Sequence, residues 1–322
     1  MSIRLEMLQV ARLAPKLLGE SADLVHSFLL AQQNNDGGFK DRTGNSDLYY
    51  TVFGLDGLLA LATRNPAVTS PDQTLAAALS KAATYVNTFE FGEGLDFVHL
   101  CCLARCWGTL CHASAETGGH QPDALLTRRD VPTATRTGIL RGIETFRTDD
   151  GGYSVLPQSQ FGTAYACFLA LAACQDLGAQ LPDSLRMVQC LKFLETNDGA
   201  WANERSVKIG STNATAAAVT LLRHLNVPIH HSVGQWLLAR CHGEGGFLAA
   251  AAAPIPDLLT TATSLHALAG LQVSFDSVRE NCLDFIDTLW TNEGGFHGNW
   301  TDDHLDTEYT YYGLLALGHL SL

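Results

Sequence analysis

One unit of sequence is repeated along this chain, most clearly at its two ends. Residues 37–61 read GGFKDRTGNSDLYYTVFGLDGLLAL, and residues 294–317 read GGFHGNWTDDHLDTEYTYYGLLAL. Weaker copies begin at Gly92, Gly151, Gly199 and Gly245, and from Gly151 onward the copies start 46 to 49 residues apart. A period of this length is typical of one supersecondary unit that buries its apolar face only by stacking on its neighbours. The sequence therefore predicts a protein of six stacked units.

Each unit has the pattern of two helices joined by a turn. The first helix is amphipathic, a Gly-Gly turn and an aromatic residue follow, and an Asp, Ser or Thr suits the N-cap of a second helix. That second helix, such as residues 51–61, is apolar nearly all round, which indicates burial on every side. The first and last copies resemble each other most, and neither has the polar face of a terminal cap. We therefore predict an all-α, closed α6/α6 toroid, with six inner helices around a central cavity and one domain over residues 1–322.

Composition and the flanking segments add further expectations. Residues 1–20 are amphipathic and predict an extra N-terminal helix packed on the ring, while the irregular residues 113–132 predict a surface loop between copies two and three. No run of 18 apolar residues occurs, so no transmembrane segment is expected. Nine cysteines without regular spacing favour reduced thiols in the cytoplasm. A net charge of −13 argues against a nucleic-acid partner.

The repeat carries a family resemblance. Copies of the form Q-x-x-D-G-G-F followed by D-x-x-Y/H-T-x-x-G-L-x-x-L resemble the repeat of protein prenyltransferase β subunits and of squalene and other terpene cyclases. The resemblance covers essentially the whole chain. It implies a toroid whose aromatic funnel holds an isoprenoid chain, and it does not identify the reaction.

This chain has only some of the residues that bind zinc in the family. Its prenyltransferases hold zinc through an Asp-x-Cys pair opening the fifth inner helix and a His in the sixth. The matching positions here are Asp257 and Leu259, then Asp306 and Tyr309, so only the aspartates match. Without thiolate and imidazole ligands, zinc is not an expected cofactor.

The family's diphosphate-binding and acid motifs are missing as well. The loop that should carry Arg and Lys reads AAAAA at residues 249–253, and Gln160 stands at the position of a family His. The Asp-x-Asp-Asp motif with which terpene cyclases of this fold protonate an alkene does not occur. Neither zinc-dependent protein prenylation nor the usual terpene cyclisation is therefore predicted.

The resemblance also implies which residues face the funnel. Counted from the aspartate at the start of each inner helix, such as Asp47 or Asp306, funnel-facing positions fall at about +2, +3, +6 and +9. Aromatic faces at such positions suit a polyene and stabilise a carbocation, although aromatic stripes also form ordinary cores. The predicted substrate-binding residues are Tyr49, Tyr50, Phe53, Phe161, Tyr165, His266, Tyr309 and Tyr312.

Asp56 is the predicted catalytic acid. It lies in the middle of the apolar sequence GLDGLLAL, where burial disfavours the charged form and a neutral carboxylic acid could protonate an alkene. The alternative is an ion pair with Arg105, which falls at the equivalent depth on the neighbouring inner helix.

Two clusters resemble metal sites. Asp302, Asp303 and Asp306 match an Asp-Asp-x-x-Asp pattern that would hold Mg²⁺ and diphosphate, and Asp306 also suits a helix cap. Asp96, His99, Cys102 and Cys106 share one face of the second inner helix. A relocated zinc site is one interpretation of this second cluster, and small buried cysteines are the other.

Two functions of different class follow. The first is an enzyme that folds or transfers an isoprenoid in the cavity, with Asp56 as acid or Mg²⁺ on the carboxylates of 302–306. The second is a non-catalytic lipid-binding or scaffold toroid that acts with a helical-repeat protein partner.

Overall fold

The computed structural model describes residues 1–62, 73–116 and 130–322, and its regular structure is almost entirely helical. Two helices precede the repeats, α1 (Ile3–Ala11) and α2 (Pro15–Leu18). The outer helices of the six repeats are α3 (Ser21–Ala31), α5 (Gln73–Asn87), α7 (Thr133–Glu144), α9 (Ser184–Lys192), α11 (Ser232–Leu238) and α13 (Arg279–Leu289). The inner helices are α4 (Leu48–Leu61), α6 (Phe97–Glu116), α8 (Ala164–Asp176), α10 (Thr212–His224), α12 (Leu258–Gly270) and α14 (Thr307–Leu320). A 3₁₀ turn spans Asp276–Val278, and two short antiparallel strands, β1 (Phe39–Lys40) and β2 (Ser46–Asp47), form the first loop.

The inner helices form a closed ring. Each packs against the inner helix before and after it, and α14 packs against α4. The Thr307 hydroxyl at the start of α14 donates a 2.9 Å hydrogen bond to the Tyr50 carbonyl of α4. The last repeat is thus joined to the first, and the predicted α6/α6 toroid is confirmed.

The loop before each inner helix is held by a repeated set of hydrogen bonds. As predicted, polar residues cap the inner helices: Asp47 accepts a 2.7 Å bond from the Tyr49 amide. In four repeats the aromatic residue after the glycine turn is buried and its amide donates to a threonine one turn into the inner helix, and in the third repeat the Tyr153 amide donates to Cys167 Sγ. Phe39 bonds to Thr51 in this way, at 2.9 Å. All six loops therefore lie at the N-terminal ends of the inner helices.

Glycine is required in these loops where the backbone touches the next outer helix. Gly37 has φ +98°, and a Cβ there would lie 1.9 Å from the Lys81 carbonyl oxygen. Gly294 has φ +91°, and a Cβ there would lie 2.3 Å from the Leu24 carbonyl oxygen of the first repeat. Only glycine adopts this φ without cost and leaves room for such a contact.

The N-terminal segment closes the other end of the ring. Residues 1–20 form two helices rather than the single helix predicted, because the chain turns between Ala11 and Pro15. Helix α1 packs against α4, α8 and α14. Arg4, whose charge suits the polar face of an amphipathic helix, is buried. It forms a 3.0 Å ion pair with Asp176 at the end of α8 and donates to the Gly108 carbonyl of α6 at 3.1 Å.

Two other expectations concern the remaining segments. The predicted loop 113–132 is wrong at its start, since α6 continues to Glu116, and residues 117–129 lie outside the described part of the chain. Over the described residues, none of the helices combines the length and the apolar character that crossing a bilayer requires.

Candidate functional site

A cavity of about 460 Å³ lies inside the ring. This volume falls in the range of small-molecule sites, roughly 300 to 1,000 Å³. Helices α10 and α12 contribute polar side chains to the wall, including Asn213, Thr220 and Thr263. Helices α4, α8 and α14 contribute the aromatic ones, which are Tyr49, Phe53, Tyr165, Phe168 and Tyr312.

The two ends of the cavity differ. Ile3, Arg4 and Met7 of α1 line it at the C-terminal ends of the inner helices. At the other end Tyr165 and Asn203 line the cavity and are also exposed, Tyr165 by 39 %. The Asn203 Oδ1 accepts a 3.0 Å bond from the Tyr165 amide, which holds the two together. A ligand would therefore enter beside Tyr165 and meet α1 at the far end.

Five of the residues predicted to bind substrate line this cavity. They are Tyr49, Phe53, Tyr165, His266 and Tyr312. Tyr49 and Phe53 are one turn apart on α4, with ring centroids 5.0 Å apart, and Phe53 is 5.4 Å from Tyr312 of α14. The rings thus form a continuous aromatic wall across the joint between the last and first repeats.

The other three predicted residues do not line the cavity. Tyr50 and Tyr309 occupy the +3 position, one residue past the inward stripe, and the helical rotation turns them towards the rim. The Arg42 guanidinium lies 5.5 Å from the Tyr309 ring. Phe161 precedes its helix and stacks 4.3 Å from the guanidinium of Arg205 instead. In the first and sixth repeats, the predicted +3 position therefore lies outside the cavity wall.

Asp56 is held in an ion pair. It is fully buried, and its Oδ2 accepts hydrogen bonds from Arg105 Nε at 2.9 Å and Nη2 at 2.7 Å. Thr109 donates to its other oxygen at 2.9 Å. The structure thus has the ion pair that was the alternative to the acid role. Asp56 is thus bound by three donors and does not line the cavity, so the geometry does not favour it as an acid that reaches a ligand.

A second buried acid, Glu308, lies near the other end of the cavity from Asp56. Glu308 is in the first turn of α14 and is 8 % exposed, and it accepts a 2.5 Å hydrogen bond from the hydroxyl of Tyr49. Burial raises the pKa of Glu308 to about 7, against the opposing effect of the Tyr49 hydrogen bond. Burial also raises the pKa of Tyr49. The pair places a neutral or nearly neutral carboxylic acid one hydrogen bond from the cavity.

Sequence reasoning did not assign Glu308 a role. It stands at the +2 position of its helix, equivalent to Tyr49 in the first repeat, and that position was predicted to face the funnel. The signal in the sequence that could have identified Glu308 is an acidic residue among the aromatic residues predicted to face the funnel. Its partner Tyr49 is 259 residues away in sequence, and only ring closure brings the two together.

The predicted Mg²⁺ site is not formed. The Arg42 guanidinium lies between two of its carboxylates, donating to Asp306 at 2.9 Å and to Asp302 at 2.8 Å. Asp306 also caps α14, and Asp303 is exposed. In the described ranges, no group of three or more His, Cys, Asp or Glu side chains is arranged to hold a metal ion. Arg42 of the first repeat thus pairs with two carboxylates of the acidic motif and links the sixth repeat to the first.

The cluster on α6 is held by hydrogen bonds. His99 donates to Asp47 at 3.1 Å and contacts Asp96 at 2.9 Å. The hydrogen bond to Asp47 raises the pKa of His99 to about 9, although burial opposes the shift. Burial raises the pKa of Cys102 to about 12, which keeps its thiol protonated. A protonated His99 and a neutral thiol are poor ligands for zinc.

The positions that correspond to the family's zinc ligands have other tasks. Asp257 caps α12 by accepting from the Thr260 amide at 2.7 Å. Leu259 lines the cavity as an apolar side chain.

Near α1 the cavity is bordered by histidines. His266 Nδ1 lies 3.1 Å from His319 Nε2, and its Nε2 lies 3.5 Å from Glu6 of α1. Burial lowers the pKa of His266 to about 4 and that of His319 to about 3. His266 therefore faces the cavity as a neutral imidazole.

Comparison with solved structures identifies the same fold in proteins of different activity. A structure of the type II terpene cyclase MstE from Scytonema, in complex with geranylgeranyl dihydroxybenzoate, is 13 % identical with a TM-score of 0.59, covering 96 % of this chain and 97 % of that one. An inactive variant of the alpha-1,6-mannanase GH76A of Salegentibacter, in complex with alpha-1,6-mannotriose, is 14 % identical with a TM-score of 0.59, covering 94 % and 98 %. At such identities the likeness shows the fold alone.

Comparison of the sequence with family models identifies the family more specifically than these structural similarities do. Among curated proteins, none is similar enough to match. The family model for the prenyltransferase alpha-alpha toroid domain matches residues 8–84, 123–211 and 212–321. These ranges include α4 and α14, which carry Tyr49 and Glu308, as well as most of the other inner helices. On this match the chain belongs to the prenyltransferase alpha-alpha toroid family.

Proposed function

We propose that this protein is an isoprenoid enzyme that protonates a polyene chain in its central cavity, with Glu308 as the acid and Tyr49 as the group that delivers the proton. The observation that carries the proposal is the 2.5 Å hydrogen bond between them at the aromatic wall. A carboxylic acid that stays protonated near neutral pH is what general-acid catalysis requires. The type II terpene cyclase of the same fold, complexed with geranylgeranyl dihydroxybenzoate, supports an isoprenoid as the ligand.

The proton transfer follows from the geometry. A hydrogen bond between two oxygens can have its proton on either side, so Glu308 can donate to the Tyr49 oxygen while the Tyr49 hydroxyl points into the cavity. Tyr49 then gives its proton to the alkene and takes the proton of Glu308. The alkene becomes a carbocation, and the carboxylate of Glu308 remains. A second double bond of the chain attacks the cation, and loss of a proton to Glu308 restores the acid.

The aromatic wall supports the charged intermediate. Phe53 and Tyr312 present their rings beside Tyr49, and ring faces attract a cation through their quadrupole. An isoprenoid that fills the largely apolar cavity would displace the water that could otherwise capture the carbocation. No zinc or diphosphate-binding residue takes part in these steps.

Deuterium labelling tests the proposal. The wild-type protein is incubated with geranylgeraniol in D₂O, and products are analysed by mass spectrometry. We expect cyclised product with one deuterium per protonation, and loss of product in Glu308→Gln and Tyr49→Phe. Asp303→Asn, which changes an exposed acid of the same repeat, is the matched control and retains activity. Deuterated product from Glu308→Gln at the wild-type rate would rule out this acid.

A second candidate is a non-catalytic lipid-binding or scaffold toroid that acts with a helical-repeat protein partner. It is favoured by the ion pairs that hold Asp56, the predicted acid, and Asp302 and Asp306, the predicted Mg²⁺ ligands. The same incubation distinguishes the two, because a binding protein returns the isoprenoid unchanged.

A further inference from the structure

Arg105 places a fixed cation in the wall of an otherwise aromatic part of the cavity. It lies on α6 and lines the cavity, and 19 % of its side chain is accessible there. Its guanidinium is 5.7 Å from the Phe53 ring and 5.8 Å from the Tyr311 ring. The Asp56 carboxylate binds it on the side away from the cavity, and Thr109 holds that carboxylate in turn.

The pairing with Asp56 uses only part of the guanidinium. An arginine has five N–H groups, and Asp56 accepts from Nε and Nη2 alone. Arg105 Nη1 makes no hydrogen bond to Asp56, and the buried Tyr311 hydroxyl is a further polar group beside the guanidinium. Because Asp56 and Thr109 fix the orientation of the side chain, the remaining N–H groups are oriented before any ligand binds.

These donors restrict what the cavity can bind. A ligand made only of hydrocarbon would strip water from the N–H groups of Arg105 without replacing its hydrogen bonds, and an unsatisfied buried donor on a charged group is costly. A ligand with an oxygen at this depth would satisfy them. Since Asp56 already balances the charge of Arg105, the oxygen need not be anionic.

The position of Arg105 also sets where that oxygen lies. Asp56 is seven residues, about 10 Å, further along α4 than Tyr49. Arg105 is therefore deeper in the ring than the Glu308–Tyr49 pair, on the side nearer α1.

We infer that the substrate is an oxygenated isoprenoid whose hydroxyl, carbonyl or carboxylate oxygen accepts a hydrogen bond from Arg105, about 10 Å from the double bond that meets Tyr49. The inference rests on the proposed function, since it specifies the ligand of the same cavity. It assigns Asp56 and Thr109 the task of positioning Arg105.

The test compares three C20 probes of one skeleton: geranylgeraniol, geranylgeranoic acid and the hydrocarbon that lacks the oxygen. Dissociation constants are measured for the intact wild-type protein. We expect at least one oxygenated probe to bind tenfold or more tightly than the hydrocarbon, which is about 1.4 kcal/mol. Comparing the alcohol with the acid shows whether the oxygen is neutral or anionic.

The variant must remove Arg105 without leaving Asp56 buried and unpaired. Asp56→Leu combined with Arg105→Leu replaces both partners, which is often tolerated. If this protein does not fold, Asp56→Asn with Arg105→Met keeps a partner for Thr109. The preference for oxygenated probes should vanish, while hydrocarbon affinity changes less than threefold. Phe53→Leu is the control and should weaken all three probes alike.

The outcomes separate this inference from the proposed function. Equal binding of the hydrocarbon and both oxygenated probes by wild type, or a preference that survives in the double variant, would overturn the role of Arg105 and leave the cavity proposal standing. Failure of wild type to bind any of the three probes would overturn both.

Discussion

Two buried acids on neighbouring inner helices have different partners. Asp56 is bound by the Arg105 guanidinium, whereas Glu308 has a phenol as its partner and a pKa raised by burial to about 7. The sequence identifies both as acids on apolar helices. It also offers Arg105 as the partner of Asp56, but it does not identify Tyr49 as the partner of Glu308, because these two residues lie 259 positions apart and meet only when the ring closes. The predicted catalytic residue therefore changes from Asp56 to Glu308.

The raised pKa of Glu308 predicts that the free energy of unfolding depends on pH. Its pKa in the folded protein lies above the usual 4.5, so folding favours the protonated form, and this stability is lost as pH rises from about 4.5 to 7. A shift of this size corresponds to about 3 kcal/mol. Glu308→Gln cannot ionise and should match wild type at pH 4.5 but be more stable by up to that amount at pH 8. Urea unfolding at both pH values measures the difference.

Turnover should also depend on the protonation of Glu308. Because the protonated acid is the active form, turnover should fall as pH rises through about 7. A stability difference between wild type and Glu308→Gln that stays constant from pH 4.5 to 8 would contradict the assignment.

Asp56→Asn tests the ion pair. We expect the free energy of unfolding to fall by about 3 kcal/mol, because Arg105 loses its counter-charge in the interior. Thr109→Val removes only one hydrogen bond to Asp56 and should cost about 1 kcal/mol. Turnover at saturating substrate should persist in the folded fraction, while KM rises because Arg105 loses the partner that positions it. Loss of turnover with unchanged unfolding would restore Asp56 as the acid.

At the scale of elements, local signals in the sequence predict helix starts and turns well. The polar residues before the inner helices are caps, and the Gly-Gly turns lie where the backbone meets the next outer helix. Helix α1 was harder to place. Arg4 has the sequence signature of a solvent-facing residue, but Asp176 of a distant helix pairs with it and allows it to be buried.

Gly294→Ala tests the contact between the last loop and the first outer helix. Its Cβ would overlap the Leu24 carbonyl oxygen, and its φ of +91° adds backbone strain. Gly44 has φ +90° with open space around it, so Gly44→Ala reports the strain alone. We expect losses of about 3 kcal/mol or more for Gly294→Ala and about 1 kcal/mol for Gly44→Ala, by thermal unfolding. Equal losses would mean that the contact is not tight.

At the scale of the whole molecule, ring closure and a central cavity were predictable, whereas the dimensions of the cavity and its polar groups were not. The likeness of the first and last repeats indicated closure, which contacts between α14 and α4 and the Arg42 ion pairs now explain. The size and chemistry of the cavity depend on side chains from all inner helices and on α1 at one end. These are set by tertiary packing, and no single repeat specifies them.

Occupancy of the cavity by an isoprenoid is the central claim, and native mass spectrometry tests it directly. Ala217 of α10 lines the cavity, so Ala217→Phe would fill part of it without disturbing Glu308 or Arg105. With geranylgeraniol, we expect wild type to retain one ligand and Ala217→Phe to retain none, while both keep the same thermal unfolding midpoint. Wild type that retains no ligand, or Ala217→Phe that retains it equally, would contradict the account.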